Sequence, residues 1–291
     1  MQDFYRGNMK KALNTNLKRI AVITMARNDD FFLSRWIKYY GNLFGTENLY
    51  IYLDGTDQNI PENAGDAHVT KLPHQDMSRK NGDKYRIGLI SDLANELLKT
   101  YDIVIGCDCD EFLIVDPKLN TSLPEYLSNK KIKTTLSGLG LDIGQHMQLE
   151  KTLDVSKPLL EQRAHALLST RYTKPVVINK PVRWGSGFHR IKNHNFHIDK
   201  NLFLLHFGAV DMKMLETKAA ARGADWLNHL KRRGNGTINE VSNRPARSEI
   251  WLKIARYIQT YIRAPYAINK PNMLGIKIVV KIPQRFKKSN V

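Results

Sequence analysis

Cysteine is almost absent: the 291-residue chain has two, Cys107 and Cys109. They lie two positions apart, too close for an unstrained disulfide, so nothing here calls for an oxidising compartment. With no further cysteine they make no four-thiolate zinc site. Long apolar runs are missing too. Met1 to Arg19 is polar and basic and reads as neither signal peptide nor membrane span, so a cytoplasmic address is expected. No glycine falls between residues 24 and 34, where a phosphate-binding loop after a first strand would need one. Internal repeats, low-complexity linkers, zinc-finger spacing and RNP-like aromatic blocks are also lacking. Acidic residues stop at Glu249, while Lys253, Arg256, Arg263, Lys270, Lys277, Lys281, Arg285, Lys287 and Lys288 accumulate beyond it.

What is present is the balance of an ordinary soluble globular protein, 42% hydrophobic and 25% charged. Lys and Arg number 45 against 28 Asp and Glu, a net charge of +17. A field of that sign attracts nucleic acid, anionic lipid or phosphorylated substrate without choosing among them.

"RIAVITMARND" (19–29) opens as a continuous β-branched apolar run and then turns polar, as a buried parallel strand does at its carboxyl end. Asn28 or Asp29 caps a following helix whose apolar face carries Leu33, Trp36, Ile37 and Tyr40. "NLYIYLDG" (48–55) and "HVTKLP" (68–73) read as further strands. A helix over residues 82–98 leads into "YDIVIGCD" (101–108). Strand, helix, strand, strand, helix, strand predicts an α/β fold with a mostly parallel sheet flanked by helices. Ligands of such sheets bind beyond the carboxyl ends of the strands, where Arg27-Asn28-Asp29, Asp54-Gly55 and Asp108-Cys109-Asp110-Glu111 all point.

The last of these stretches packs three carboxylates into four positions between two apolar segments. Left bare, they would repel and be costly to bury. Asp108-x-Asp110 at a strand end suits a divalent cation bridging a diphosphate. Hard oxygen donors favour Mg²⁺ or Mn²⁺.

With these residues in place the chain resembles glycosyltransferases of the GT-A fold, specifically the family 2-like group and its family 92 relatives. The likeness is carried by "ARNDDFFLSRWIKYYGNLFG", "IYLDGTDQ" and "DCDEFL" in that order, and more loosely by "LEQR", "TKPVVIN", "GSGFHR" and "LLHFGAVD". It implies a Rossmann-like GT-A domain over residues 19–211, after an N-terminal extension (1–18) and before a helical basic C-terminal extension (212–291). The implied reaction moves a sugar from a nucleotide-sugar, a UDP-sugar foremost, to a hydroxyl of a glycan or lipid-linked glycan. Carried over by position, Arg27, Asn28 and Asp54 would hold the nucleoside, and Asp108, Asp110 and His206 the metal. Lys174 and Arg163 resemble basic positions that neutralise diphosphate; Arg79, Lys80 and Lys84 are placed to do likewise. His189, within "GFHR", is a candidate substrate contact, whereas His194 and His197 read as surface.

An inverting transfer needs a carboxylate to take the acceptor's proton. Glycine-flanked Asp142 is preferred over Glu150, Asp154 and Glu161. The mixed apolar and basic segment "MLGIKIVVKIPQRFKKSNV" (273–291) is expected on an anionic membrane surface. Two other readings remain: a nucleic-acid-binding protein, supported by charge but by no motif, and a nucleotidyltransferase, disfavoured by the glycine-free first turn.

Overall fold

The computed structural model describes residues 17–194, 196–221, 228, 236–262 and 277–291. The N-terminal extension lies, apart from residues 17 and 18, outside them. No helix among the described residues is long and apolar enough to cross a membrane.

Strand β1 (Ile20–Ala26) is buried along its whole length, as its unbroken apolar run demands. It pairs in parallel with β2 (Leu49–Asp54) on one side and β4 (Ile103–Gly106) on the other, and β2 pairs in parallel with β3 (His68–Leu72). The order β3-β2-β1-β4 is that of a Rossmann half, so the fold is the mixed α/β, Rossmann-like arrangement expected. Alternate residues of β1 face opposite layers. Ile20 and Val22 join the cluster under α1 (Asp30–Phe44), with Phe32, Leu33, Trp36 and Tyr40; Ala21 and Ile23 meet Ile87, Ile90 and Ala94 of α2 (Arg79–Leu97). Helix α2 begins one turn before the start read from the sequence.

Beyond β4 the pairing is mainly antiparallel. Strand β5 (Glu111–Val115) pairs with β9 (Ile198–Ala209), and β6 (Thr135–Gly144) lies parallel to β9. β7 (His165–Leu168) and β8 (Val177–Ile178) both pair antiparallel with β6. The glycine-rich stretch 135–144 is therefore a fully buried ten-residue strand rather than loosened structure. Its glycines make room for neighbouring backbone: a Cβ on Gly140 would stand 2.4 Å from the Thr173 nitrogen. Only glycine lets the 169–174 turn press against β6 there, and that turn delivers Tyr172 and Lys174 to the site.

The C-terminal stretch is not a peripheral helical tail. After α5 (Met212–Ala221) and α6 (Ile250–Tyr261), strand β10 (Ile278–Lys281) pairs antiparallel with β7. Leu252, Ala255, Val280, Ile282, Phe286 and Val291 belong to the same core cluster as α1. Arg285 forks onto Asp116 (2.6 Å) and Glu249 (2.5 Å), and Lys277 reaches Glu240 (2.5 Å). Of the segment 273–291, expected on an anionic membrane surface, residues 273–276 lie outside the described residues. Val279, Val280, Ile282, Phe286 and Val291 are buried at a gain of roughly 1.5–3 kcal/mol for each large apolar side chain, and part of the segment's charge is answered within the chain.

Candidate active site

The carboxyl ends of β1, β2 and β4 open on one cleft of about 800 Å³. Arg27, Asn28, Asp54, Asp108, Asp110, Asp142, Lys174, His189 and His206 all line it, which gathers the strand-end residues singled out in the sequence. Lys84 does not line it. Positions 79, 83 and 86 share one face of α2 and reach the cleft, while position 84 is turned about 200° from 86 and exposed. Arg86, not Lys84, supplies the cation. Arg163 also lies elsewhere: it is buried, donates to the Val210 carbonyl and pairs with Asp211 at 3.3 Å. Glu150 serves that same structural cluster, accepting from the His146 and Ala164 amides; Asp154 and Glu161 are exposed outside the cleft. His194 and His197 are exposed.

At the rim of the cleft formed after β1 and β2, Asn28 takes a left-handed backbone, φ +50°. Gln58 holds it there, accepting from the Asn28 amide at 2.7 Å and donating to its side-chain oxygen at 2.9 Å. Arg27 donates to the Asp54 carbonyl and to Asp57, and the Asp54 carboxylate accepts from His74 at 2.9 Å.

The acidic turn is held by cations. Asp108 receives Arg86 at 2.7 Å on one oxygen and Lys174 at 2.8 Å on the other. Lys174, 2% exposed, also reaches Glu111 at 2.5 Å. Burial opposes ionisation of Asp108, yet the two cations prevail and hold its pKa well below the carboxylate range. Glu111 is different. Burial pushes it up to about 7, the Lys174 charge pulls the other way, and Asp108 adds to the rise.

The third group is assembled by strand register. Asp142 on β6 and Glu111 on β5 both stand opposite His206 on β9. His206 Nδ1 donates to Asp142 at 2.7 Å, and the other Asp142 oxygen accepts from the Thr237 hydroxyl at 2.6 Å. His206 Nε2 faces Asp110 at 3.5 Å, and the imidazole stacks on Tyr172 with centroids 3.6 Å apart. Burial works against a charged imidazole, but Asp110 and Asp142 outweigh it and raise its pKa. His189 is the opposite case: burial and then Lys174 push it down to about 3, and its Nδ1 donates to the Arg171 carbonyl at 2.8 Å. A neutral ring presenting an acceptor nitrogen results.

Among the described residues no group of three or more His, Cys, Asp or Glu side chains forms a ready metal site. Asp108 has a cation on each of its oxygens, Arg86 on one and Lys174 on the other. Asp110 and His206 remain a fitting pair for Mn²⁺ or Mg²⁺, ions that complete their shells with water and substrate phosphate. The Asp142 contact to the far nitrogen is how a ligating histidine is usually oriented.

Sequence reasoning missed Arg86, Tyr172, Lys218 and Thr237. Spacing from Arg79 could have shown Arg86, seven residues on along one helix face. Lys218 of α5 pairs with Asp29 at 2.7 Å across the cleft mouth, and no local pattern announces that.

The chain matches no family model, and none of the curated proteins matches it. Among solved structures it is similar to the galactosyltransferase LgtC in complex with donor and acceptor sugar analogs, at 13% identity and a TM-score of 0.27. That likeness covers 42% of this chain and 46% of LgtC, less than half of either.

Proposed function

We propose that the protein is a glycosyltransferase that takes a nucleotide-sugar, a UDP-sugar foremost, and passes the sugar to a hydroxyl of a glycan or lipid-linked glycan. The observation that carries this is the meeting of three strand ends in one cleft, with a polar rim after β1 and β2 beside cations and the pair formed by Asp110, in the turn after β4, and His206 on β9. The order of motifs resembling GT-A enzymes supports the same reading.

Arg27, the strained Asn28 and Asp54 face the nucleoside, and Arg86 faces the diphosphate, while the acceptor nitrogen of neutral His189 suits a sugar hydroxyl. Charge-assisted donation to phosphate oxygens is the strongest contact Arg86 offers. Asp110 and His206 would hold the divalent cation, which supplies charge neutralisation for the leaving diphosphate. Asp142, with both oxygens engaged, is a positioning residue for His206 rather than the acceptor's base.

Calorimetric titration of UDP, GDP and ADP with and without Mn²⁺ tests the reading. One nucleotide is expected to bind, more tightly with metal, and Asp110→Ala should abolish the metal dependence while Arg86→Gln weakens binding either way. A folded protein that binds none of them would dismiss a nucleotide-sugar enzyme.

A further inference from the structure

A second cavity, about 330 Å³, lies at the opposite end of β5 and β9 from the cleft, lined by Asp116, Lys200, Lys253, Arg256 and Arg285 among others. From Glu111 to Asp116 the chain runs five residues of extended structure, roughly 17 Å, so this is not a subsite of the cleft.

Its charge is unbalanced. The lining holds five cations, Lys118, Lys200, Lys253, Arg256 and Arg285, against two anions, Asp116 and Glu249. The anions are already met. Asp116 receives Arg285 and Lys118, the latter at 3.0 Å, and Glu249 receives Arg285. Lys200, Lys253 and Arg256 are left over. Arg256 is the informative one: its Nε and Nη2 atoms are buried with no hydrogen-bond partner, and its guanidinium lies over the Phe203 ring at 5.0 Å. Burial draws its pKa down, against the opposing charges of Asp199 and Asp116. Unpaired buried donors cost free energy that water exposure or a partner would remove, so a guanidinium held this way is set for an acceptor from outside the chain.

We propose that this cavity is an oxyanion site for a phosphate group, gripped by the Arg256 fork with Lys200 and Lys253 at the mouth. Guanidinium forks match the geometry of phosphate oxygens, and paired cations at the rim add attraction at longer range. The group could arrive as a soluble phosphate ester or as a lipid headgroup, and the two share this chemistry.

The test is calorimetric titration of inorganic phosphate into the full-length protein at fixed ionic strength in chloride buffer, alongside melting curves. Wild type should bind, and Arg86→Gln, altered in the other cleft, should keep this event. Arg256→Met should weaken it at least about tenfold, the value of one charge-assisted hydrogen bond. Phosphate should raise the melting temperature of wild type but not of Arg256→Met, each compared with its own melting curve in phosphate-free buffer. Should that variant fail to fold, exposed Lys253→Gln gives a second reading, a few-fold weakening. Flotation with vesicles containing phosphatidic acid, lost in Arg256→Met, would identify a lipid source; phosphate binding without flotation would identify a soluble one. No binding by wild type, or binding lost in Arg86→Gln and kept in Arg256→Met, overturns the proposal.

Discussion

Lys174 is the counter-charge on which the acidic turn depends, and replacing it with methionine shows how much. The side chain is 2% exposed and its ammonium lies 2.8 Å from Asp108 and 2.5 Å from Glu111, itself wholly buried. Methionine nearly conserves volume, so packing loss is small. Removing one partner of a buried ion pair costs about 3–5 kcal/mol, because the other charge stays buried. With an unfolding entropy of about 2.1 cal/mol/K per residue, a chain this long loses about 1 °C for each 0.6 kcal/mol, which predicts a fall of about 5–8 °C. The pH dependence follows from Glu111. Its folded pKa, about 7, already exceeds the ordinary glutamate value, and losing Lys174 lifts it further. The folded variant therefore keeps a proton that the unfolded chain has released, and its stability falls as pH rises through that window. Urea denaturation should show a larger deficit at pH 8 than at pH 5, and Glu111→Gln in the same chain should restore about 1–3 kcal/mol at pH 8. A loss under about 1 kcal/mol at pH 8, well below the range for a broken buried pair, or equal deficits at both pH values, would refute the argument.

Asp142→Asn should lower the His206 pKa, since burial is then opposed by Asp110 and Glu111 without Asp142; an imidazole titration followed by NMR that does not move would remove the positioning role. Phe286→Ala should destabilise the fold by about 3–5 kcal/mol, as an aromatic in the shared core does, and a change near zero would mean that the C-terminal segment is dispensable. Asp116→Asn should cost about 1.5–3 kcal/mol at pH 7. Burial opposes ionisation of Asp116, but Arg285 and Lys118 overcome it and depress its pKa. Its contribution is present above the ordinary aspartate pKa and vanishes as pH falls through the folded value, so acid unfolding curves of variant and wild type should converge. Curves that stay parallel to low pH would count against that pairing.

Local pattern carried much of this molecule. The apolar runs ending in Arg27-Asn28-Asp29, Asp54 and Asp108 were legible as buried strands because a strand's own residues state whether both faces are covered, and their shared polar ends marked the cleft. The acidic turn was legible as a place needing positive charge. Which charge answers it was not. Lys174 comes from 66 residues away in sequence, and Arg86 rather than Lys84 reaches Asp108 because helix phase relative to the sheet settles only when α2 docks. Asp142 looked like a base beside its glycines, but strand register set it against His206, and register is a property of two strands rather than one. The basic C-terminal segment looked like a tail for the same reason. Its spacing of Val280 and Ile282, with Phe286 beyond, identifies an apolar face, and only closure of β10 on β7 determines that the face is spent inside the protein. Sequence alone determined the elements and the chemistry at their ends, since both follow from short-range spacing. The tertiary structure decided the partners, since charges and faces far apart in the chain are matched only when the sheet closes.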